Sequence, residues 1–326
     1  MRPITSLLDD QFTFPNDSAV ADQAVVDEPV VRQGRGLRVR STSKPSSWEF
    51  AKAKAEAAKN ASTVDYDQML LQLMVPDFSD VFRGVPNPFL RGGLFTARSK
   101  SERNNLPGVK VASLSNFDIE YKGEELRQDD LSVWMSLISR ARNQPLGDKV
   151  YFTGYALIKD LGWSMNKVGY ARAKACIERL KLTSLKISSK DLKAAYAGSL
   201  IRDYAWDAID DSGNAKWMIR FEPKIAQLFG NSNTTLLEWE ERKQLGTRGT
   251  LLQWLHGYYS THGVPIPMLV TKLHELCESE EKSIPNFTIR LRKALETLLS
   301  IGFLVRYRID NGLVSVERSL RRVRPA

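Results

Sequence analysis

Residues 126–185 decide the fold: LRQDDLSVWMSLISRARNQPLGDKVYFTGYALIKDLGWSMNKVGYARAKACIERLKLTSL. Asp129 and Asp130 stand at a helix start, where carboxylates suit the positive end of the helix dipole. Val133, Trp134, Leu137, Ile138 and Ala141 follow at helical spacing. Pro145-Leu-Gly breaks that helix. Val150-Tyr-Phe reads as a short strand and about Gly154 to Leu161 as a second helix. The turn Gly162-Trp-Ser-Met-Asn opens a third helix, from about Lys167 to Lys181. A strand pair is expected at Ser184 to Ser188 and Ser199 to Trp206. A further strand at Lys216 to Phe221 and a short helix at Pro223 to Phe229 close the unit. Helix, strand, helix, turn, helix, hairpin is the order of a winged helix.

Downstream the order repeats. Helices are expected at Thr247 to Thr261, Met268 to Cys277 and Ile284 to Ile301, with a short edge at Pro265-Ile-Pro. Phe303 to Arg308 and Leu313 to Arg318 flank Asp310-Asn311-Gly312, a strong hairpin signal. At an offset of 118, Ala173, Cys176, Ile177, Leu180, Leu185 and Ile187 map onto Leu291, Ala294, Leu295, Leu298, Phe303 and Val305. A tandem duplication accounts for the match.

Upstream the signals weaken. Phe117-Asp-Ile-Glu-Tyr alternates, turns at Lys122-Gly123 and runs into Leu126, which reads as a hairpin. Residues 65–110 are broken by Pro76, Pro86, Pro88, Gly92, Gly93 and Pro107. They read as a short helix from Tyr66 to Met74 and an irregular segment. Residues 1–30 carry a net charge of −5 and residues 31–60 one of +6, with weak apolar periodicity. That is a disordered arm, with a short helix near Trp48 to Lys59. The expected architecture is α+β: two tandem winged-helix domains from an internal duplication. The boundaries are a charged arm at 1–64, a lead-in at 65–108, and domains at 109–231 and 232–326.

The 326 residues carry a net charge of +9 and 42% hydrophobic residues. No apolar run approaches the ~20 residues of a membrane span, and no signal core opens the chain. Cys176 and Cys277 read as buried, reduced thiols, as expected of a cytoplasmic protein. His256, His262 and His274 are the only histidines. His274 and Cys277 share a helix face, but a zinc site needs about four ligands, so no metal is expected. Neither phosphate-binding glycine motif occurs, so the chain reads as a non-enzyme without cofactors.

The chemistry concentrates on the third helices. In the first, Ala173, Cys176, Ile177 and Leu180 face inward, while Lys167, Ala171, Lys174 and Glu178 lie opposite, with Arg172 and Arg179 on one flank and Tyr170 on the other. Residues 166–202, with Lys186, Lys190 and Lys193 among them, sum to +7. In the second, Leu291, Ala294, Leu295 and Leu298 face inward and Asn286, Arg290, Arg292 and Lys293 face out or flank. Arg306 and Arg308 alternate on the next strand, and residues 284–326, with Arg321, Arg322 and Arg324, sum to +6. One basic helix is ordinarily a solvated face. Two concordant ones point to double-stranded DNA, with arginine and asparagine suited to base edges and lysine to phosphates.

The run at 126–185 resembles the TrfA family of plasmid replication initiators. NPFLRGGLFTARSK (87–100) and LLQWLHGYYSTHGVPIPMLVTKL (251–273) do so as well. The resemblance spans about residues 65–326. It implies a cytoplasmic bacterial protein that binds direct repeats (iterons) at a plasmid origin and opens the adjacent AT-rich DNA, whose single strand is a further candidate ligand. It also implies recruitment of the host helicase and sliding clamp, and leaves monomer and homodimer both open. Ser164, Asn166, Tyr170, Arg172 and Arg179 match the family's residue types. The family's clamp-binding stretch has the form Q-L-S-L-F; the nearest match is Gln72-Leu-Met-Val-Pro, which lacks the Phe and also reads as a helix end packed on the domain. Two other readings compete: a winged-helix repressor or autoregulator, and a nicking enzyme. The latter needs a His pair beside a Tyr nucleophile, and no H-x-H occurs.

Overall fold

The computed structural model describes residues 74–114, 117–189, 196–206, 215–229 and 233–319. The arm at 1–64, its helix near Trp48, all but the last residue of the helix expected from Tyr66, and Lys190, Lys193, Arg321, Arg322 and Arg324 lie outside the described residues. In chain order the elements are β1 (Phe82–Pro86), α1 (Asn87–Leu90), β2 (Phe95–Thr96), β3 (Asn105–Val111), β4 (Phe117–Glu124), β5 (Leu126–Arg127), α2 (Gln128–Ala141), β6 (Val150–Thr153), α3 (Gly154–Leu161), α4 (Lys167–Leu182), β7 (Ser184–Ser189), β8 (Tyr196–Gly198), β9 (Asp203–Trp206) and β10 (Lys216–Arg220). After a 3-10 turn at Pro223–Leu228 come β11 (Thr234–Glu238), α5 (Trp239–Gln244), α6 (Thr250–Ser260), β12 (Met268–Leu269), α7 (Val270–Leu276), α8 (Ile284–Ser300), β13 (Leu304–Asp310) and β14 (Leu313–Arg318). Among the described residues no helix is long and apolar enough to cross a membrane.

Local chemistry explains the helix ends. The Asp130 carboxylate accepts the Arg127 N–H at 2.8 Å, satisfying an orphan donor at the start of α2. The Thr153 hydroxyl accepts from Ala156 N–H to cap α3, and Gly162, at φ 66°, ends it in the left-handed region. Asn166 caps α4 by accepting from Gly169 N–H at 2.9 Å. A Cβ on Gly169 would stand 2.1 Å from the Ser164 carbonyl oxygen, so only glycine permits this turn. Ser283 caps α8, with Pro285 in the first turn. Asn311 and Gly312, at φ 50° and 76°, make the turn expected between β13 and β14.

Burial forms two cores. The first gathers Val75 and Phe78, the inner faces of α2, α3 and α4, and runs to Trp239. The second gathers α6, α7, α8 and β13, together with Ala97. The lead-in serves both. β1 pairs antiparallel with β11, and Ala97 N–H bonds Cys277 O at 2.9 Å. Trp254 Nε1 donates to Gly92 O at 3.1 Å. The segment expected to be irregular therefore contributes three strands, β1, β2 and β3. Val75 lies buried, so this end of the Gln72-Leu-Met-Val-Pro stretch is packed on the first core; Gln72 and Leu73 lie outside the described residues.

Two three-stranded antiparallel sheets have the orders β6-β10-β9 and β12-β14-β13. In each, the outer strand that precedes the second helix pairs with the last strand. A four-stranded sheet, β3-β4-β7-β8, belongs to the first core alone. It corrects two expectations, and the sheet β12-β14-β13 a third. β4 runs straight through Lys122-Gly123 and pairs with β3 upstream, so the hairpin turn there is absent. β7 pairs with β4 and with β8, and the residues expected as its partner mostly join the other sheet as β9. The edge strand is Met268–Leu269, after Pro265 and Pro267, because proline offers no N–H to a ladder. The offset of 118 holds along the buried faces of α4 and α8. It fails at Val305, which is 55% exposed where Ile187 is buried, beside a register shift between Leu304 and Arg306. In sheet order it is β9, not β7, that stands where β13 stands.

Candidate nucleic-acid interface

The N-terminal turn of α4 presents Ser164, Asn166 and Lys167 to solvent, with Met165 and Val168 exposed beside them. Tyr170 is half-buried against the first core. The flanking cations are engaged. The Arg172 guanidinium lies over the Trp163 ring at 4.2 Å and contacts Asp129 at 3.4 Å. Lys174 Nζ sits 4.7 Å from the Trp206 ring centroid and 5.5 Å from that of Trp217, tying the helix to β9 and β10.

Arg179 departs from its expected place. Its guanidinium bonds Asp130 at 2.9 Å and Cys176 Sγ at 3.3 Å, and its side chain is 12% exposed. Asp130 is fully buried and also meets Arg103 at 2.5 Å, while Arg103 reaches Asp129 at 2.9 Å. Burial and the Asp129 charge push the Asp130 carboxyl above its ordinary range, against the pull of Arg103 and Arg179. Burial opposes ionisation of Asp129 too, yet Arg103 and Arg172 hold its carboxyl below the ordinary range. Asp129 and Asp130 thus do more than complement a dipole. They bind the flank of α4 to α2, and Arg179 is taken off the exposed face. Lys186 is exposed on β7 opposite Glu120, within the four-stranded sheet and away from both three-stranded ones.

On α8 the geometry is different. Asn286, Arg292 and Lys293 are exposed and Arg290 half-buried, beside an exposed Ile289. Among the described residues these side chains have no ion pair. Phe287, Leu291, Leu295 and Leu298 are buried, as the helical spacing requires. Arg306 pairs with Glu317 at 2.6 Å and Arg308 with Asp310 at 2.6 Å, both on the surface, where such pairs are weak and exchange readily.

Sequence reading missed the partners of the α4 cations. Trp206 and Trp217 meet through the pairing of β9 with β10, and Trp163 meets Arg172 from the turn ahead of α4. It missed Arg98, Arg103 and Arg248 as well, which lie on the lead-in and the connection to α6. Asp129, Asp130 and Cys176 could bring ligand atoms to a metal, but both carboxylates already accept from guanidiniums, and burial pushes the thiol well up. The donor set fits arginine better than a cation. Cys277 is buried, and His274 Nε2 contacts the Glu281 carbonyl at 2.5 Å.

Comparison with known proteins identifies relatives of the chain as a whole. The family model described as "TrfA protein" matches residues 42–318. The plasmid replication initiator protein TrfA of Escherichia coli is 26% identical over 294 residues, a span covering 87% of this chain and 75% of that protein. Two crystal structures of domains 2 and 3 of RctB superpose with a TM-score of 0.47 at 12% identity. They cover 71% and 69% of this chain and 98% and 95% of theirs. With the family match running from the basic part of the arm to the end of β14, this chain belongs to the TrfA family.

Proposed function

We propose that this protein is a plasmid replication initiator that binds direct repeats at its origin through two winged-helix units. The first unit consists of α2, α3 and α4 with the sheet β6-β10-β9; the second of α6, α7 and α8 with β12-β14-β13. In this reading the hairpins β9–β10 and β13–β14 are the wings, and β3, β4, β7 and β8 are an elaboration of the first unit. α4 and α8 enter successive major-groove faces, about 10 bp apart. The supporting observation is the recurrence of one helix-and-sheet order, each time with a basic third helix beside its wing.

Opening of the neighbouring AT-rich DNA then draws on binding energy. Each base-pair step costs about 1–2 kcal/mol, and each occupied repeat supplies about 4–10 kcal/mol of specific preference. Several repeats together offset the melting, and the protein then recruits the host helicase and sliding clamp to the opened origin. Footprinting on the plasmid's own origin tests this. Protection of each direct repeat, with nucleotide-free opening that fades as repeats are deleted, is the expected result; protection confined to the protein's own promoter supports the autoregulator instead.

A further inference from the structure

We propose that an arginine-lined groove between the two cores binds the phosphodiester backbone of the DNA segment joining the two reading sites; this rests on the reading just given. The groove, about 460 Å³, is lined by Arg98, Arg103, Arg127, Arg172 and Arg248 against a single carboxylate, Asp129. At one end it meets a second groove of about 310 Å³ at the N-terminus of α4, lined by Trp163, Ser164 and Asn166. Arg172 and Thr247 line both, so the two grooves adjoin. At its other end, Ser99 Oγ and Lys100 N–H donate to Glu280 at 2.8 and 3.2 Å. Glu280 lies just ahead of α8 and within the field of Arg290. The groove thus runs from the start of one reading helix toward the start of the other.

Its walls are preorganised. Arg103 is held by Asp129 and Asp130, and Arg127 by Glu125 and the carbonyls of Lys100 and Glu102. These two supply shape and field, their donors being largely spent. The contacting groups are Arg248, exposed and without an ion pair among the described residues, and Arg172, whose 3.4 Å contact with Asp129 is loose and whose side chain is 35% exposed. A guanidinium fork suits two phosphate oxygens. A groove continued by a second one suits a chain of phosphates better than a compact anion.

The test uses the full chain and a duplex repeat in which methylphosphonates neutralise, one at a time, the phosphates between the two footprint halves. Arg248 is exposed, so Arg248→Ala leaves the unfolding midpoint unchanged. Wild type loses about five- to tenfold affinity at one or two central positions. Arg248→Ala binds every sequence more weakly, with a salt slope about one unit shallower, and is indifferent to those same positions. Losses that simply add, an unchanged slope, or binding displaced by inorganic phosphate at matched ionic strength overturn the proposal. Failure of wild type to prefer the repeat over unrelated DNA overturns the underlying reading; protection of both halves with indifference to the central phosphates overturns the groove alone.

Discussion

α4 carries five basic residues and α8 three, and the two helices use them differently. On α4, Lys174 and Arg179 are committed to aromatic rings and a buried carboxylate, Asn166 caps the helix, and Arg172 is divided between the Trp163 ring and a loose contact with Asp129, leaving Ser164 and Lys167 at the tip as free polar groups. On α8, Asn286, Arg292 and Lys293 stand in solvent, free to adapt to a ligand. Charge counted along the chain is therefore a poor guide to charge offered to DNA. A cation with internal partners fixes a helix in place; one without them is available for contact.

The largest expected effect breaks the committed side. Asp130→Ala takes from Arg179 its close carboxylate partner, leaving it only Glu124 at 3.7 Å, and leaves Arg103 to Asp129 and Glu124; it should destabilise the first core by about 3 kcal/mol in urea unfolding. A change below about 0.5 kcal/mol would mean that α4 is not held by this network.

The second core should show a different signature. His256 is buried, and its pKa falls to about 3 through burial and the nearby Arg242 and Arg318 charges. It is neutral when folded, whereas the unfolded chain takes up a proton below about pH 6.5. Stability from this group is complete above pH 6.5 and falls as pH drops toward 3, by about 2 kcal/mol at pH 5. His256→Leu should flatten that acid limb, as followed by urea midpoints from pH 7.5 to 5; an unaltered limb would assign it to the carboxylates.

On the free side, Arg292→Ala should leave folding intact and cost about 1–3 kcal/mol of binding at one base position, if the guanidinium contacts a guanine edge. Competition with single-base variants of the repeat reads this directly, and equal losses on every variant would make Arg292 a phosphate contact. The smallest effect belongs to Lys174→Ala. It removes the cation between Trp206 and Trp217 and should cost about 0.5–1 kcal/mol of stability, with little base dependence. A strong base-specific defect would place Lys174 in the groove after all.

The helices were legible because burial imposes a period on the chain. Trp134, Leu137, Ile177, Leu180, Leu291 and Leu298 all face inward as their spacing requires. The Asn311-Gly312 turn was equally plain, since few residues tolerate positive φ. Strand partnership was not. Phe117–Glu124 looks the same whether it turns at Gly123 or continues, and its partner is chosen by long-range packing with Asn105–Val111. The partner of Arg179 was not legible for a related reason. The position of Arg179 on the helix flank is set by periodicity, but its commitment to Asp130 depends on how α2 lies against α4. Arg248 and Arg98 carried no periodic signal at all.

The relative placement of the two units underlies the whole account. Arg242 is buried at their joint, donating to Gln128 Oε1 on α2 at 3.0 Å and to Gln253 O on α6 at 3.2 Å, while β1 pairs with β11. A joint this constrained should not follow a change in half-site phase. The direct measurement is the affinity of the full chain for a repeat with ~5 bp, half a helical turn, inserted between the two footprint halves. Two reading helices on a rigid joint predict that affinity falls to the non-specific level, and that a further ~5 bp, restoring phase at a longer separation, does not recover it. Unchanged affinity with ~5 bp inserted would contradict the account.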